Sequence, residues 1–319
     1  MNNSILLTGG FGNIGGRLAA LLSNRADLQL HLGSRSARTA PNWAPQAAAT
    51  RLDLLDVGSI ESAVSGINTI VHLAALNDIE SAKNPNFAHE LNVVGTHNLV
   101  DCAIDAGVER LIYMSTAHVY GSPIEGRISE SHPTAPVHPY AVTHLGAERI
   151  VADAHDAGKI VGVRIRSANG FGAPMDPTVK IWQILVNDLC RQASQSHELI
   201  LKTHGSQERN FVPLTDVCEA IEHLIGLDAS VVGDGLFNFG ADTSHSIWEM
   251  ANRIADRCEH VLGFKPPITR PAKPIDKNHD RLDYRSDKIK RTGFIPKLKF
   301  DDEIDGLLQF CAQEFPFIR

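Results

Sequence analysis

The chain has 319 residues, 43% hydrophobic and 21% charged, which is typical of a soluble globular protein of about two domains. Its 30 basic and 37 acidic residues give a formal charge of −7 without any basic run, which argues against a nucleic acid polymer as partner. No apolar stretch has the length of a signal peptide or a membrane span, so we expect no membrane partner and a cytoplasmic location. The dispersed cysteines form neither a disulfide framework nor a zinc spacing, so we expect buried, reduced thiols and no metal site: Cys102, Cys190, Cys218, Cys258 and Cys311.

Short apolar runs alternate with amphipathic segments in the first half of the chain. The runs predict strands at residues 4–7, 28–32, 50–54, 69–73, 110–114 and 159–165. The amphipathic segments predict helices at residues 13–23, 59–64, 87–106 and 140–155. Strand–helix alternation of this kind predicts an α/β fold with a Rossmann-like, doubly wound parallel sheet.

The pattern changes after residue 172. Helices are predicted at 179–190 and 215–227, a strand at 235–239, and helices between proline-rich loops after residue 246. We interpret residues 1–168 plus about 211–240 as one domain. Residues from about 169 to 210 and from 241 to 319 are then a smaller, mostly helical C-terminal domain that binds substrate.

A glycine-rich turn follows the first predicted strand and opens the first predicted helix. Glycines permit a tight turn and a close approach of the backbone to a diphosphate, which the positive end of the helix then attracts. In this strand–helix context the G-x-G-x-x-G spacing of Gly10, Gly12 and Gly15 predicts a dinucleotide site. The residues assigned to it are Gly9, Gly12, Asn13, Ile14 and Gly15.

The end of the second predicted strand indicates which nicotinamide cofactor is bound. An acidic residue here would hydrogen-bond the adenosine ribose of NAD, but the sequence reads Gly33-Ser34-Arg35-Ser36. Arg35 can pair with a 2′-phosphate, so NADP(H) is favoured, while NAD(H) stays possible. Asp53 and Leu54, at the end of the third predicted strand, are placed near the adenine.

Tyr140 and His144 are four residues apart in a predicted helix, so the phenol and the imidazole share a face. A phenol that titrates near ~10 is a poor base at neutral pH unless a nearby positive charge stabilises the phenolate. A neutral imidazole donates one hydrogen bond but supplies no such charge.

Six ordered motifs resemble the extended short-chain dehydrogenase/reductase family, and above all its nucleotide-sugar epimerases, dehydratases and 4-keto reductases. The resemblance covers nearly the whole chain. The motifs are TGGFGNIG at 8–15, HLAA at 72–75, NVVGT at 92–96, STAHVYG at 115–121, RSANGFG at 166–172 and QERNFV at 207–212.

The resemblance implies a role for individual residues. Thr116 and Tyr140 are the catalytic pair, with Thr116 bonding the reacting oxygen, and His144 occupies the place of the family's usual lysine. Further cofactor contacts are implied for Leu73, Ala74, Ala75, Asn92, Tyr140 and His144. Substrate contacts are implied for His118, Asn169, Arg209 and Arg281, with Arg209 facing a diphosphate. His118 is read either as an acid/base group or as a polar residue that lines the cleft.

Two departures from the family pattern bear on the reaction. The 4,6-dehydratases carry an Asp-Glu pair after the catalytic threonine, where this chain has Ala117 and His118, so dehydration is not expected. With His144 for lysine, reduction of a ketone is easier to support than oxidation of an alcohol, because reduction needs only a proton donor.

We therefore expect an enzyme that reduces a nucleotide-linked 4-keto sugar with NADPH. Two alternatives stay open at this point: a nucleotide-sugar 4-epimerase with tightly bound NAD, and a cofactor-binding protein that has lost turnover. The expected partner is a nucleoside-diphosphate sugar. The resemblance also implies a homodimer.

Overall fold

A computed structural model describes residues 3–36, 38–272 and 281–317. The strands in these ranges are β1 (Asn3–Thr8), β2 (Leu28–Ser34), β3 (Ala48–Arg51), β4 (Thr69–His72), β5 (Arg110–Thr116), β6 (Gly126–Ile128), β7 (Val161–Ser167), β8 (Asn169–Phe171), β9 (Leu199–Ile200), β10 (Glu208–Arg209), β11 (Phe211–Pro213), β12 (Leu236–Phe239), β13 (His245–Ser246), β14 (Ile268–Thr269) and β15 (Leu282–Tyr284).

The α-helices in the same ranges are α1 (Asn13–Leu22), α2 (Val57–Val64), α3 (Asp78–Lys83), α4 (Pro85–His89), α5 (Gly95–Asp105), α6 (Pro139–Asp156), α7 (Leu185–Ser196), α8 (Leu214–Gly226), α9 (Ala229–Val232), α10 (Ile247–Leu262), α11 (Asp287–Arg291) and α12 (Phe300–Glu314). No helix in the described part of the chain has both the length and the apolar character needed to cross a bilayer.

The central sheet has seven strands in the order β12-β7-β5-β4-β1-β2-β3, and every neighbouring pair is parallel. Helices cover both faces, with α1 and α8 on one and α2, α5 and α6 on the other. This confirms the predicted Rossmann-like class. The strand order reverses between β1 and β4, and in open α/β sheets such a reversal is where ligands bind, in a crevice at the carboxyl ends of the strands.

A further apolar core lies away from the sheet, among α7, α10 and α12. Its fully buried members include Leu189, Ala193, Ile254, Ile304 and Leu307. A separate hydrophobic core of this kind is expected of a smaller helical domain. The exact domain limits given above stay a prediction.

Three predicted elements differ from the structure. The third strand covers Ala48–Arg51, because the chain turns where the Asp53 amide bonds the Ser59 hydroxyl (2.9 Å) and Asp56 caps α2. The single helix predicted at 87–106 is divided into α4, a π-helical turn (Glu90–Val94) and α5. The helix predicted at 179–190 was wrong in position, since α7 spans Leu185–Ser196.

The predicted burial of the cysteines is confirmed, because all five thiols are free and buried. Their pKa values are raised, chiefly by burial. These thiols are therefore not expected to act as thiolate nucleophiles.

Candidate active site

The first turn of the sheet is shaped by glycine. Gly9 has φ +68, and the Gly12 amide donates to the Gly9 carbonyl at 2.8 Å. A Cβ on Gly15 would collide with that same carbonyl oxygen. Helix α1 then begins without a side-chain cap at Gly12, so its first amides lack an acceptor within the helix and are suited to bind an anion.

Asn13 supports the assignment of this turn to a dinucleotide. Its Oδ1 is buried and has no hydrogen-bond partner among the described residues. A buried polar atom without a partner is costly, so its partner is expected to come from a ligand. The neighbouring Ile14 packs its side chain against the hydrophobic core and anchors α1.

We expect Gly15→Ala to lower the free energy of unfolding by about 1–3 kcal/mol, because the added methyl group overpacks the turn against backbone. Dinucleotide affinity should fall at least tenfold. Gly16→Ala is the matched control, since its Cβ would meet side-chain atoms only, those of Met175 (3.3 and 3.4 Å) and Trp43 (3.8 Å). Urea denaturation and cofactor titration measure both quantities, and equal effects of the two substitutions would contradict the prediction.

A buried hydrogen-bonded chain holds the floor of the crevice. The Thr8 hydroxyl accepts from the amides of Leu73 and Ala74 (both 3.1 Å) and donates to Nδ1 of His72 (2.7 Å). Nε2 of His72 then donates to the Thr96 hydroxyl at 2.9 Å. Burial lowers the pKa of His72 to about 3, so this histidine is a neutral structural link.

Asn92 fixes the loop after β4. Its Oδ1 accepts from the Leu76 amide at 2.9 Å, and its Nδ2 donates to the Thr143 hydroxyl at 3.0 Å. These two bonds connect the π-helical turn to the loop that contains Ala75 and to the helix that carries Tyr140. The Asn92 side chain thus bonds within the protein, and its contact with the cofactor stays a prediction.

Helix α6 and the end of β5 bring the predicted catalytic pair together. Thr116 is the last residue of β5, and Tyr140 lies in the first turn of α6, where the His138 side chain accepts from the Tyr140 amide at 3.2 Å. Burial raises the pKa of Tyr140 to about 12; a hydrogen bond with Thr116 opposes this rise, and the Asp78 carboxylate adds to it. The phenol is therefore protonated at neutral pH.

His144 lies one turn beyond Tyr140 and is buried, with only 4% of its surface exposed. The centroids of the two rings are 4.4 Å apart, edge to face. Nδ1 contacts the Tyr113 hydroxyl at 2.7 Å, while Nε2 is buried and has no partner in the described part of the chain. Burial lowers the pKa of His144 to about 3, so the ring carries no charge that could stabilise a phenolate.

Charged side chains surround the mouth of the cleft. The pKa of His118 is lowered by desolvation, then by the positive charge of Arg209, while Asp78 acts the opposite way. Arg209 donates to the Gln207 side chain at 3.5 Å, and no ion pair of Arg209 occurs within residues 3–36, 38–272 and 281–317. Desolvation lowers the pKa of the Arg209 guanidinium too, so a bound anion would offset the energetic cost of burying this charge.

Two residues that were predicted to contact the substrate form bonds with other residues of the protein. The Asn169 side chain donates to the Asn210 carbonyl at 2.9 Å, which ties β8 to β11. Arg281 is 88% exposed and pairs with Glu208 at 3.4 Å. Thr116, His118, Tyr140, His144 and Arg209 lie close enough to interact: Thr116 bonds Tyr140, Tyr140 packs on His144, and His118 is coupled to both His144 and Arg209. Arg281, in contrast, lies on the surface beside Glu208. The substrate role of Arg281 stays a prediction.

The residues predicted to contact the adenosine half of the cofactor lie at the carboxyl ends of β2 and β3. Ser34 and Ser36 face each other with hydroxyl groups 3.4 Å apart, and Arg35 is exposed. The Asp53 carboxylate accepts from the Leu55 amide at 3.1 Å, which shapes the loop. Leu54 is buried, and its carbonyl accepts from the Asn98 side chain at 3.1 Å.

Sequence reasoning missed three contributors to the site. Tyr113 holds His144, Asp78 faces Tyr140 and His118, and Glu148 lies one turn beyond His144 in a buried pair with Arg166. Glu148 had a signal in the sequence, because Tyr140, His144 and Glu148 follow one another at four-residue spacing. Tyr113 and Asp78 depend on contacts between distant segments.

A glycine turn on a parallel sheet, with Tyr140 and His144 beside the end of β5, is typical of dinucleotide-binding oxidoreductases. Comparison with known proteins agrees with this class. The chain belongs to the NAD dependent epimerase/dehydratase family, whose model matches residues 5–240. The members of this family are enzymes, so the chain is an NAD-dependent enzyme of this type, which confirms the resemblance found in the sequence.

Three similar proteins illustrate the range of the family. The dTDP-D-glucose 4,6-dehydratase of Mus musculus is 27% identical over 79% of this chain and 70% of its own length. The UDP-glucose 4-epimerase of Halalkalibacterium halodurans is 28% identical over 83% of this chain and 82% of its own. The structure of Thermus thermophilus UDP-glucose 4-epimerase in complex with NAD superposes with a TM-score of 0.76 at 24% identity, covering 98% of this chain and 99% of that one.

Proposed function

We propose that the protein reduces a nucleotide-linked 4-keto sugar, with Tyr140 as the proton donor. The observation that carries this proposal is the environment of Tyr140. Burial and the Asp78 carboxylate raise its pKa to about 12, and its neighbour His144 is neutral. A phenol that keeps its proton is suited to protonate a ketone oxygen and poorly suited to deprotonate an alcohol.

The residues of the crevice fit a nicotinamide dinucleotide. The turn is too tight at Gly15 to admit a Cβ, as a diphosphate-binding glycine turn requires, and Asn13 Oδ1 and His144 Nε2 are buried atoms that lack partners in the described residues. When bound, this cofactor supplies hydride chemistry. The chain itself holds the sugar oxygen with Thr116, donates the proton from Tyr140, and offers His144 to a ribose hydroxyl.

The substrate class is inferred from Arg209. A largely desolvated guanidinium that forms no ion pair within the described residues is suited to a diphosphate, which presents several charged acceptors. The curated relatives named above act on UDP-glucose and dTDP-D-glucose by their names, which supports a nucleoside-diphosphate sugar. The homodimer stays a prediction.

A 4-epimerase is the second candidate, and the 28% identity to a UDP-glucose 4-epimerase over 83% of the chain favours it. An epimerase must first oxidise an alcohol, which requires the phenolate. Because the pKa of Tyr140 is raised to about 12, the phenolate is a minor species at neutral pH. The site therefore supports reduction better than epimerisation.

One assay separates these candidates. The purified protein is incubated with a panel of nucleotide-linked 4-keto sugars and NADPH or NADH, and nicotinamide absorbance and sugar products are followed together. Stoichiometric loss of reduced cofactor supports the proposal. Interconversion of nucleotide-linked 4-hydroxy sugars without net change in absorbance would overturn it in favour of epimerisation.

The preference for NADP over NAD is also proposed, and it rests on the tip of β2. No acid follows β2, Arg35 is exposed there, and the Arg38 guanidinium lies 4.8 Å from the ring centroid of Phe11 in the glycine turn. A cation at the end of β2 and another beside the glycine turn would be suited to pair with a 2′-phosphate. The solved relative in complex with NAD shows that this fold also accepts the cofactor without that phosphate.

We expect the double variant Arg35→Ser/Arg38→Ser to raise the KM for NADPH about tenfold or more, since each charged hydrogen bond to phosphate contributes about 1.5–3 kcal/mol. The KM for NADH should change less than twofold. Arg25→Ser is the control, because Arg25 pairs with Asp27 and Glu222. Steady-state kinetics with both cofactors measure the effect, and a parent protein that prefers NADH would contradict the NADP assignment.

A further inference from the structure

His144 has two chemically different ring nitrogens in this structure. Nδ1 lies 2.7 Å from the Tyr113 hydroxyl, and Nε2 is buried without a partner among the described residues. Because its pKa is lowered to about 3, the neutral ring carries a single N–H. Which nitrogen holds that proton decides whether His144 offers the cofactor a donor or only an acceptor.

The hydroxyl proton of Tyr113 determines which ring nitrogen of His144 is protonated. Its ring is 2% exposed, and the hydroxyl has His144 Nδ1 as its one hydrogen-bond partner in the described part of the chain. Burial holds the pKa of Tyr113 well above its usual value, so the phenol keeps its proton. That proton is satisfied only if Nδ1 accepts it, which places the histidine proton on Nε2. The opposite tautomer would leave the O–H of Tyr113 unpaired in the protein interior, whereas the Nε2–H of the favoured tautomer is left for a hydrogen-bond acceptor of the bound cofactor.

The position of Tyr113 is itself fixed. On β5 it pairs in register with His72 of β4, and its ring lies between His72 (centroids 5.4 Å apart) and His144 (5.7 Å). His72 is in turn held by Thr8 and Thr96. A row of rings therefore runs from the sheet to the cleft and ends at Tyr140. The titratable groups that face His144 are His72, Tyr113, His118 and Tyr140.

We propose that Tyr113 is a positioning residue that holds His144 as the Nε2–H tautomer and thereby makes it a neutral hydrogen-bond donor toward the cleft. This gives the chain the donor that a lysine supplies in the family pattern, without the charge. The inference rests on the proposed cofactor-binding role of His144. It goes beyond that role by naming the residue that sets the direction of the hydrogen bond.

The direct test is the tautomer of His144, read from ¹⁵N chemical shifts of the labelled protein, with His144→Gln identifying the signal. We expect a protonated Nε2 and an unprotonated Nδ1 in the parent, and a mixture of tautomers in Tyr113→Phe. Tyr284→Phe is the matched control, because it also removes a buried hydroxyl, one that bonds the Arg166 carbonyl, and should leave the His144 signal unchanged. A parent signal from Nδ1–H, or an unchanged signal in Tyr113→Phe, overturns the proposal.

A coupling experiment tests whether the tautomer affects binding. Tyr113→Phe should weaken NADPH binding about two- to tenfold in the parent background, the effect of one neutral hydrogen bond. In a His144→Lys background the same substitution should change affinity less than twofold, because an ammonium group needs no tautomer control. Equal losses in both backgrounds would make Tyr113 merely structural. If Tyr113→Phe does not fold, the parent tautomer still decides, and neither readout depends on the sugar substrate.

Discussion

Tyr140→Phe is expected to lower turnover by about 10²- to 10⁴-fold, the contribution of a positioned proton donor. The substitution removes only the hydroxyl that meets Thr116, and the ring remains packed against His144. Cofactor affinity should therefore stay within about threefold, since the glycine turn is untouched. Single-turnover rates with a 4-keto substrate and fluorescence titration of NADPH measure the two quantities.

The pH dependence provides a second check on Tyr140. The reactive form in reduction is the protonated phenol, and with a pKa of about 12 this form predominates throughout the neutral range. The rate should not fall through ionisation of Tyr140 until the pH approaches ~11. A loss of reduction between pH ~7 and ~9 that disappears in Tyr140→Phe would show a much lower pKa, and residual activity above about a tenth in this variant would exclude Tyr140 as the donor.

Glu148→Ala is expected to lower the free energy of unfolding by about 3–5 kcal/mol. Glu148 receives two hydrogen bonds from Arg166 Nε (3.0 and 3.1 Å) and one from Nη2 (2.6 Å), and the Ser115 hydroxyl donates to it as well. Both side chains of the pair are almost wholly buried. Removing the carboxylate leaves the guanidinium desolvated without a counter-charge, which is the main source of the loss.

The exposed pair of Lys83 and Glu80, at 3.4 Å, is the matched control. Glu80→Ala should change stability by less than about 1 kcal/mol, because solvent screens surface pairs. Combining Glu148→Leu with Arg166→Met should cost less than Glu148→Ala alone, since no buried charge is left. Urea unfolding gives all three values, and a loss below about 1 kcal/mol for Glu148→Ala would show that water reaches Arg166.

The first half of the fold was predictable because its signals are local. Apolar runs of four to seven residues became β1, β2, β4, β5 and β7, and the spacing of Gly10, Gly12 and Gly15 predicted the first turn. Tyr140 and His144 share a helix face because four residues make about one turn. The four-residue spacing therefore predicted that the two rings meet, and their centroids are 4.4 Å apart.

The misplaced elements depend on contacts that sequence spacing does not contain. Residues 179–184 have apolar spacing suited to a helix, yet Trp182 packs on Phe315 (4.7 Å) from the far end of the chain, and α7 begins only at Leu185. The π-helical turn follows from the bonds of Asn92 to Leu76 and Thr143. Tyr113 was missed for the same reason, because its role depends on how β5 lies against α6.

The four-residue spacing of Tyr140, His144 and Glu148 limits how this gene can change. Inserting or deleting one codon between positions 140 and 148 would rotate the later part of α6 by about 100° relative to the earlier part. Either the proton donor or its buried anchor would then leave its place, and no single compensating substitution could restore both. Among descendants of this protein, this segment is therefore expected to vary by replacement and to keep its length.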